Sequence, residues 1–329
     1  MSLEPSLLET LCHSNAKECW AALGRKAWQI FAEPLETDAV AGQLAARERA
    51  LHWLDLFLSN SVWDLWQELE TGMVGNAQAV TDWWTAGPPG RAVLILDGLS
   101  LREVPWLLQQ APSRGFRVVR TEVTRAELPP DTNYFARALG LPGRAALEND
   151  QAGKHNLTGA HTQTTDLPFQ DCISWVSSQP DWLFWHHWPD HRLHELDNPG
   201  KGLASLAQEA AHKLCDQAFW DLLGRLCQGR RLLLTSDHGY AAAGFFEDAE
   251  TAQAAHLKEL FKSGRHSQHS LGPSPFLPPT DLTLSTRWGQ HRFALGQRRW
   301  KSQGGYPTLT HGGLTLLEVL CPFIELERI

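Results

Sequence analysis

The sequence predicts an α/β fold, a doubly wound and mostly parallel sheet preceded by a helical N-terminal region. Residues 1–88 read as helices. From residue 89 to 329, short apolar runs alternate with helix-like segments, as buried parallel strands alternate with their crossover helices. Between the two lies GPPG at 87–90, a strong punctuation of the chain.

In chain order, ARERALHWLDLFLSNSVWDLWQELETG (46–72) predicts one helix ending at Gly72, followed by a shorter one in NAQAVTDWWTA. RAVLILD (91–97) is a continuous apolar run closed by Asp and Gly. LREVPWLLQQAPSRG predicts a helix with Pro105 in its first turn. FRVVRTEVTR (116–125) is the next strand. TNYFARALG (132–140) predicts a short helix with Thr132 as its N-cap. DWLFWHHW (181–188) and RRLLLTSD (230–237) are strands, and residues 202–229 between them predict one long helix. Residues 263–280, rich in Pro, Ser, Gly and His, predict a loop over one face. LTLSTRW and HRFALG then alternate as a short hairpin.

At 329 residues the chain exceeds a typical single domain, and 43% hydrophobic content suffices for a sizeable core. A net charge of −8 argues against coating nucleic acid through bulk electrostatics and leaves only a local basic groove open. Six scattered cysteines without a CxxC pair read as reduced thiols of a cytoplasmic protein, not as a zinc site. No run approaches the roughly 20 apolar residues of a membrane span, and no basic segment followed by an apolar one marks a leader. The fifteen tryptophans, at spacings that fit helix or strand faces, read as core residues rather than stacking platforms.

Open α/β sheets bind their ligands just beyond the carboxyl ends of the strands. Asp97 ends one apolar run, Asp190 follows another, and Asp237-His238 end a third. Asp190 and His194 have D-x-x-x-H spacing, which brings both to one side of a helical turn. Their segment, WHHWPDHRLHELD (185–197), also offers His186, His187 and His191. Gly239 lets the chain turn sharply beside Asp237-His238. His311 precedes Gly312-Gly313, again with no bulk after it. Carboxylates and imidazoles without thiolate suit zinc or manganese.

A D-G after the first strand, a Thr at a helix start, D-x-x-x-H, S-D-H-G and a late H-G-G occur in the order that resembles the alkaline phosphatase superfamily. More narrowly, LPPDTNYFARALG (128–140), TSDHGY (235–240) and THGGLTLLEVLCPFIEL (310–326) are similar to the PglZ domain family. The resemblance covers roughly residues 90–329 and leaves 1–86 unexplained. It implies an alkaline phosphatase-like fold and two divalent metal ions, zinc or manganese. Asp97, Asp237 and His238 would hold one metal, and Asp190, His194 and His311 the other. Thr132 would be the nucleophile, with its hydroxyl on the first metal.

The implied activity is hydrolysis of a phosphoester, by a phosphodiesterase or a phosphatase, with a nucleotide or nucleic acid among eligible substrates. The implied setting is bacterial phage defence or signalling, with another defence-system subunit as partner. The alternative is a non-catalytic adaptor whose Trp-rich helical region docks such a partner. Ser100, Thr121 and Thr124 are alternative hydroxyls. Arg102 reads as a phosphate ligand or, failing that, a solvated helix residue. His266 and His269 read as loop surface. LPPDTNYFAR lacks the C/S-x-P-x-R context a sulfatase needs.

Overall fold

A computed structural model describes residues 4–36, 39–196, 202–268, 272–302 and 305–329. The N-terminal stretch contains α1 (Pro5–His13), α2 (Ala16–Ala32), α3 (Val40–Asn60), α4 (Leu69–Gly72) and α5 (Asn76–Ala86). Asn15 starts α2 by accepting a bond from the Glu18 amide. The single helix expected over 46–72 is broken. α3 stops at Asn60, and Trp63–Glu68 makes a tighter 3-10 turn before α4. That turn carries Trp66 into the core, edge-on to Trp20 with ring centroids 5.0 Å apart. Most tryptophans are buried, as the sequence suggested.

The alternating part begins with β1 (Arg91–Leu96), α6 (Val104–Gln110), β2 (Phe116–Arg125), α7 (Thr132–Ala138), β3 (His161–Thr165), α8 (Phe169–Cys172) and β4 (Asp181–His186). It continues through α9 (Asp190–Leu196), α10 (Gly202–Cys215), α11 (Gln217–Leu226), β5 (Arg231–Thr235), β6 (Glu247–Asp248), α12 (Thr251–Phe261) and β7 (His266–Ser267). β8 (Asp281–Thr286), β9 (Gly289–Ala294), β10 (Arg298–Arg299), α13 (Leu316–Val319) and β11 (Leu320–Arg328) complete it.

Six strands form the main sheet in the order β2-β11-β5-β1-β4-β3. β1 pairs in parallel with β4 and β5, and β3 in parallel with β4. Only β11 runs against its neighbours, β5 and β2. The α/β class and the mostly parallel sheet are therefore as expected. Both faces of β1 are buried, which is why its sequence is continuously apolar. Ala92, Leu94 and Leu96 pack with the N-terminal helices, while Val93 and Ile95 pack with Trp83, Trp84 and Phe135.

Two features depart from the expected pattern. The long helix over 202–229 is two helices, because the Asp216 carboxylate accepts the Ala218 amide and starts α11 afresh. β3 was not anticipated at all. Its residues, HTQTT, are polar, and it closes one edge of the sheet. The expected hairpin is present as β8 and β9, with β7 added as a third antiparallel strand. The described residues of 263–280 are otherwise mostly irregular, and His269 lies outside the described residues. Among the described residues, no helix is long and apolar enough to cross a membrane.

Buried polar contacts tie the N-terminal helices to the sheet. Arg102 donates to both Glu48 carboxylate oxygens, at 2.6 and 3.0 Å, and to the Tyr240 carbonyl at 2.7 Å. It is neither a phosphate ligand nor solvated, contrary to both readings of the sequence. Removing one member of such a buried pair costs about 3–5 kcal/mol. Asp55 of α3 accepts from the Leu316 amide at 2.9 Å and from Gln297 at 2.8 Å.

Burial pushes the Asp55 carboxyl up to about 7. Its folded pKa is therefore above its unfolded one. The stability this provides is complete below pH 4 or so and is lost as pH rises through neutrality. In Asp55→Asn, the fall of the urea midpoint between pH 5 and 8 should be shallower than in the wild type. An unchanged slope in that titration would show that Asp55 ionises normally in the fold.

Candidate metal centre

The carboxyl ends of β1, β4 and β5 bring Asp97, Asp190, Asp237 and His238 together. The loops after β1 and β4 are laced by backbone bonds, with the Asp97 amide donating to the His186 carbonyl and the Asp190 amide to the Asp97 carbonyl, both at 2.9 Å. Gly98 makes this approach possible. Its φ is +72°, and a Cβ there would sit 3.2 Å from the Asp190 Cβ. Gly239 is under a stricter limit, since a Cβ would fall 2.1 Å from the Leu317 carbonyl oxygen. The S-D-H-G segment thus passes directly beneath α13.

Two groups of side chains place their ligand atoms within 4.8 Å of one another: Asp97, Asp237 and His238, and Asp190, His238 and His311. His238 belongs to both. Its Nδ1 lies 2.9 Å from the Gly239 carbonyl oxygen, which can only accept, so Nδ1 carries the proton. Nε2 then faces Asp237 at 3.4 Å and Asp97 at 3.8 Å. His311 is held likewise, with Nδ1 on the Pro130 carbonyl at 3.2 Å and Nε2 3.7 Å from Asp190. The two rings stack with centroids 4.3 Å apart. Such orientation of a ligating imidazole by a carbonyl is what metal sites use.

The residues present fit divalent metal ions. Asp190 Oδ1 and Asp237 Oδ2 are buried acceptors without a hydrogen-bond donor. Orphaned anionic oxygens of this kind are costly unless a cation meets them. Burial and the neighbouring Asp237 and Asp190 carboxylates push the Asp97 carboxyl well above the usual range. Burial draws the His238 imidazole down, but the carboxylates of Asp237, Asp190 and Asp97 outweigh it and hold the ring up to about 9. Burial and the charge on His238 push His311 down. Burial works to raise Asp190, yet bonding from His194 and the nearby imidazoles hold it well below the usual range.

Thr132 is the first residue of α7, and Asp131 caps it by accepting from the Asn133 amide at 2.9 Å. The expected cap was Thr132. Because Asp131 takes that duty, the Thr132 hydroxyl is free to donate to Asp97 Oδ1 at 3.1 Å, and it lies 3.3 Å from His238 Nε2. The other candidate hydroxyls are elsewhere. Ser100 closes a capping box with Glu103, Thr124 bonds Asn76, and Thr121 is exposed on β2.

His194 stands apart from the two tight groups. Its Nε2 is 3.5 Å from Asp190 Oδ2, and its side chain is 68% exposed. His186 turns to the Leu167 carbonyl and is pushed down to about 3 by burial. His187 contacts Thr164, and His191 bonds the His187 carbonyl. His266 packs against Gly312, where a Cβ would meet its ring at 2.7 Å.

Two residues were missed by the sequence reading. The Trp185 indole donates to Asp97 Oδ2 at 3.0 Å, and Arg144 bonds the same oxygen. Trp185 could have been found from its strand, since β1 and β4 were both legible and Trp185 pairs with Ile95. Arg144 follows a turn and carries no motif signal.

Fold and site together define an α/β protein with a buried carboxylate–imidazole centre at the carboxyl edge of its parallel strands. No protein-family model matches the chain, and no curated protein matches it. Solved structures similar to it include murine ectonucleotide pyrophosphatase/phosphodiesterase 5 in an inactive form in complex with AMP. That match has 13% identity, covers 72% of this chain and 88% of the other, and has a TM-score of 0.42. A second structure of the same murine protein matches with 12% identity over 72% and 87%, at a TM-score of 0.41.

Zinc or manganese should raise the thermal midpoint of the purified chain, by an amount equivalent to about 2.7 kcal/mol at a hundredfold excess over Kd. Asp237→Asn should lose most of that rise, and His194→Ala, at the exposed edge of the second group, should lose a smaller part of it. A full rise in Asp237→Asn would remove Asp237 from the ligand set.

Proposed function

We propose that the chain is a metal-dependent phosphoesterase with a PglZ-like α/β domain, and that Thr132 is its nucleophile. The observation that carries this reading is the Thr132 hydroxyl, bonded to Asp97 at 3.1 Å beside buried carboxylate oxygens that lack a donor. A threonine hydroxyl is a weak nucleophile until a neighbouring group takes its proton. The Asp97 carboxylate accepts that proton as a hydrogen bond and so orients the hydroxyl, and a divalent cation held by Asp97, Asp237 and His238 would stabilise the alkoxide.

Asp97, Asp237 and His238 would hold one divalent cation, and Asp190, His311 and His194 a second. Bound there, the cations supply Lewis-acid charge that stabilises the attacking and leaving oxygens of an in-line displacement. The Thr132 oxygen bonds to phosphorus as the ester oxygen departs with the phosphorus–oxygen bonding pair. Water then breaks the Thr132–phosphorus bond and returns the hydroxyl. The carboxylate and imidazole donor set supports zinc or manganese. A phage-defence or signalling setting is supported by the resemblance of residues 90–329 to the PglZ family.

The test is turnover of bis(4-nitrophenyl) phosphate and 4-nitrophenyl phosphate by metal-loaded protein, which also separates a diesterase from a phosphatase. Thr132→Ala should lower kcat about a thousandfold or more while leaving metal content unchanged. Full activity in that variant would remove Thr132 as the nucleophile. A chain that stays metal-free after metal-replete purification, and is inert on both esters, would end the phosphoesterase reading.

A further inference from the structure

A cavity of about 380 Å³ opens beside Thr132. Its floor is polar, with buried Gln163 and Thr164 from β3 and half-buried Arg144 and His187. Its rim is exposed and carries Glu148, Asp166 and Trp175. The cavity is separate from the carboxylate–imidazole cluster but shares the nucleophile with it.

Arg144 links the two. One of its guanidinium nitrogens bonds Asp97 Oδ2, while Asp97 Oδ1 accepts from the Thr132 hydroxyl. A single carboxylate therefore fixes the guanidinium and the hydroxyl at the same corner of the cavity. A guanidinium has five N–H donors in a planar fork. Among the described residues Arg144 uses only the bond to Asp97, so most of its donors remain for a ligand. That fork matches two oxygens of a phosphoryl group and stays charged at any working pH.

The rim carries the opposite charge. Glu148 and Asp166 have no cationic partner among the described residues, and both line the mouth of the cavity. A substituent that enters here passes two unneutralised carboxylates. Trp175 beside them offers a flat apolar surface that also attracts cations.

Building on the phosphoesterase reading, we propose that Arg144 clamps the phosphoryl oxygens of the substrate. The cavity beside it seats the esterified group, which is polar, neutral or cationic, and carries no second phosphate. The substrate class is then a phosphoester of a nucleoside-like or amino-alcohol hydroxyl rather than a nucleotide polyphosphate or a nucleic-acid strand.

Two measurements on the metal-loaded full chain test this. Calorimetric titration with orthophosphate reads the clamp without turnover. Arg144→Gln keeps an N–H donor for Asp97 but loses the charge, and should weaken orthophosphate about 10- to 100-fold with metal content unchanged. Arg144→Lys should recover only part of the affinity, because it lacks the fork. Equal orthophosphate affinity in Arg144→Gln and wild type, or no orthophosphate binding by wild type, overturns the clamp.

The second measurement compares 4-nitrophenyl esters of thymidine 5′-phosphate and of thymidine 3′,5′-bisphosphate. The monophosphate ester should be favoured in kcat/KM on the order of tenfold. The double variant Glu148→Gln/Asp166→Asn should narrow the gap by lowering KM for the bisphosphate ester. Preference for the bisphosphate ester by wild type overturns the specificity assignment. If wild type turns over neither of these diesters, the specificity assignment falls; inertness on bis(4-nitrophenyl) phosphate and 4-nitrophenyl phosphate as well ends the phosphoesterase reading, and the orthophosphate titration still decides for or against the clamp.

Discussion

The site exists because the fold holds three carboxylates, Asp97, Asp190 and Asp237, at one buried sheet edge. Asp97 and Asp237, whose oxygens lie within 4.8 Å of one another, repel by about 3–4 kcal/mol when both are ionised, at an effective dielectric near 20. The surrounding structure offsets part of this with directed donors. The Gly98 amide meets Asp237 at 2.9 Å, the Trp185 indole and Arg144 meet Asp97, and His238 stands among all three acids. Among the described residues, Asp190 Oδ1 and Asp237 Oδ2 still lack a hydrogen-bond donor and face only imidazole nitrogens at 3.7 and 3.4 Å, which makes the edge a candidate cation site.

Such crowding is possible only on a backbone that cannot relax it. β1 is paired on both sides, and the loops after β1 and β4 bond to each other directly. Gly98 and Gly239 remove the side-chain volume that would separate the strands of this arrangement. On the far side of the sheet, Arg102 and Glu48 lock α3 against the turn that follows Asp97. The N-terminal helices are therefore part of the core that holds the acids in place, although they contribute no ligand.

How much of this was legible follows from what kind of signal each part leaves. β1, β2 and β5 announced themselves because parallel strands buried on both faces, or long strands between turn signals, have few alternatives. Asp97, Asp237 and His238 were legible as strand-end residues, whatever their chemistry. β3 was invisible, because a polar edge strand of Thr and Gln looks like loop. The break at Asp216 was hidden for the opposite reason, since apolar spacing continues across it while a side chain restarts the helix. Thr132 was singled out as a nucleophile by the resemblance, and as the N-cap of its helix by its position. Asp131 and Thr132 both suit that duty, and only the backbone shows which one performs it. Arg144 left no trace, because a lone arginine after a turn has no pattern until its partner carboxylate is in view.

His194 illustrates where motif and geometry must be read together. The D-x-x-x-H spacing points to it as a ligand beside Asp190, and the ring does lie 3.5 Å from that carboxylate. Yet the tightest group around Asp190 uses His238 and His311 instead. The Nε2 of His238 has one lone pair, so it can serve one cation at a time. When it serves the cation held by Asp97 and Asp237, the other group keeps only Asp190 and His311 from its three members. His194, one helical turn from Asp190 and 5.7 Å from the His311 ring, is then the imidazole at hand to complete it. Its exposure suits a ligand that would close a site from the solvent side, and the two candidate groups share the single ring of His238.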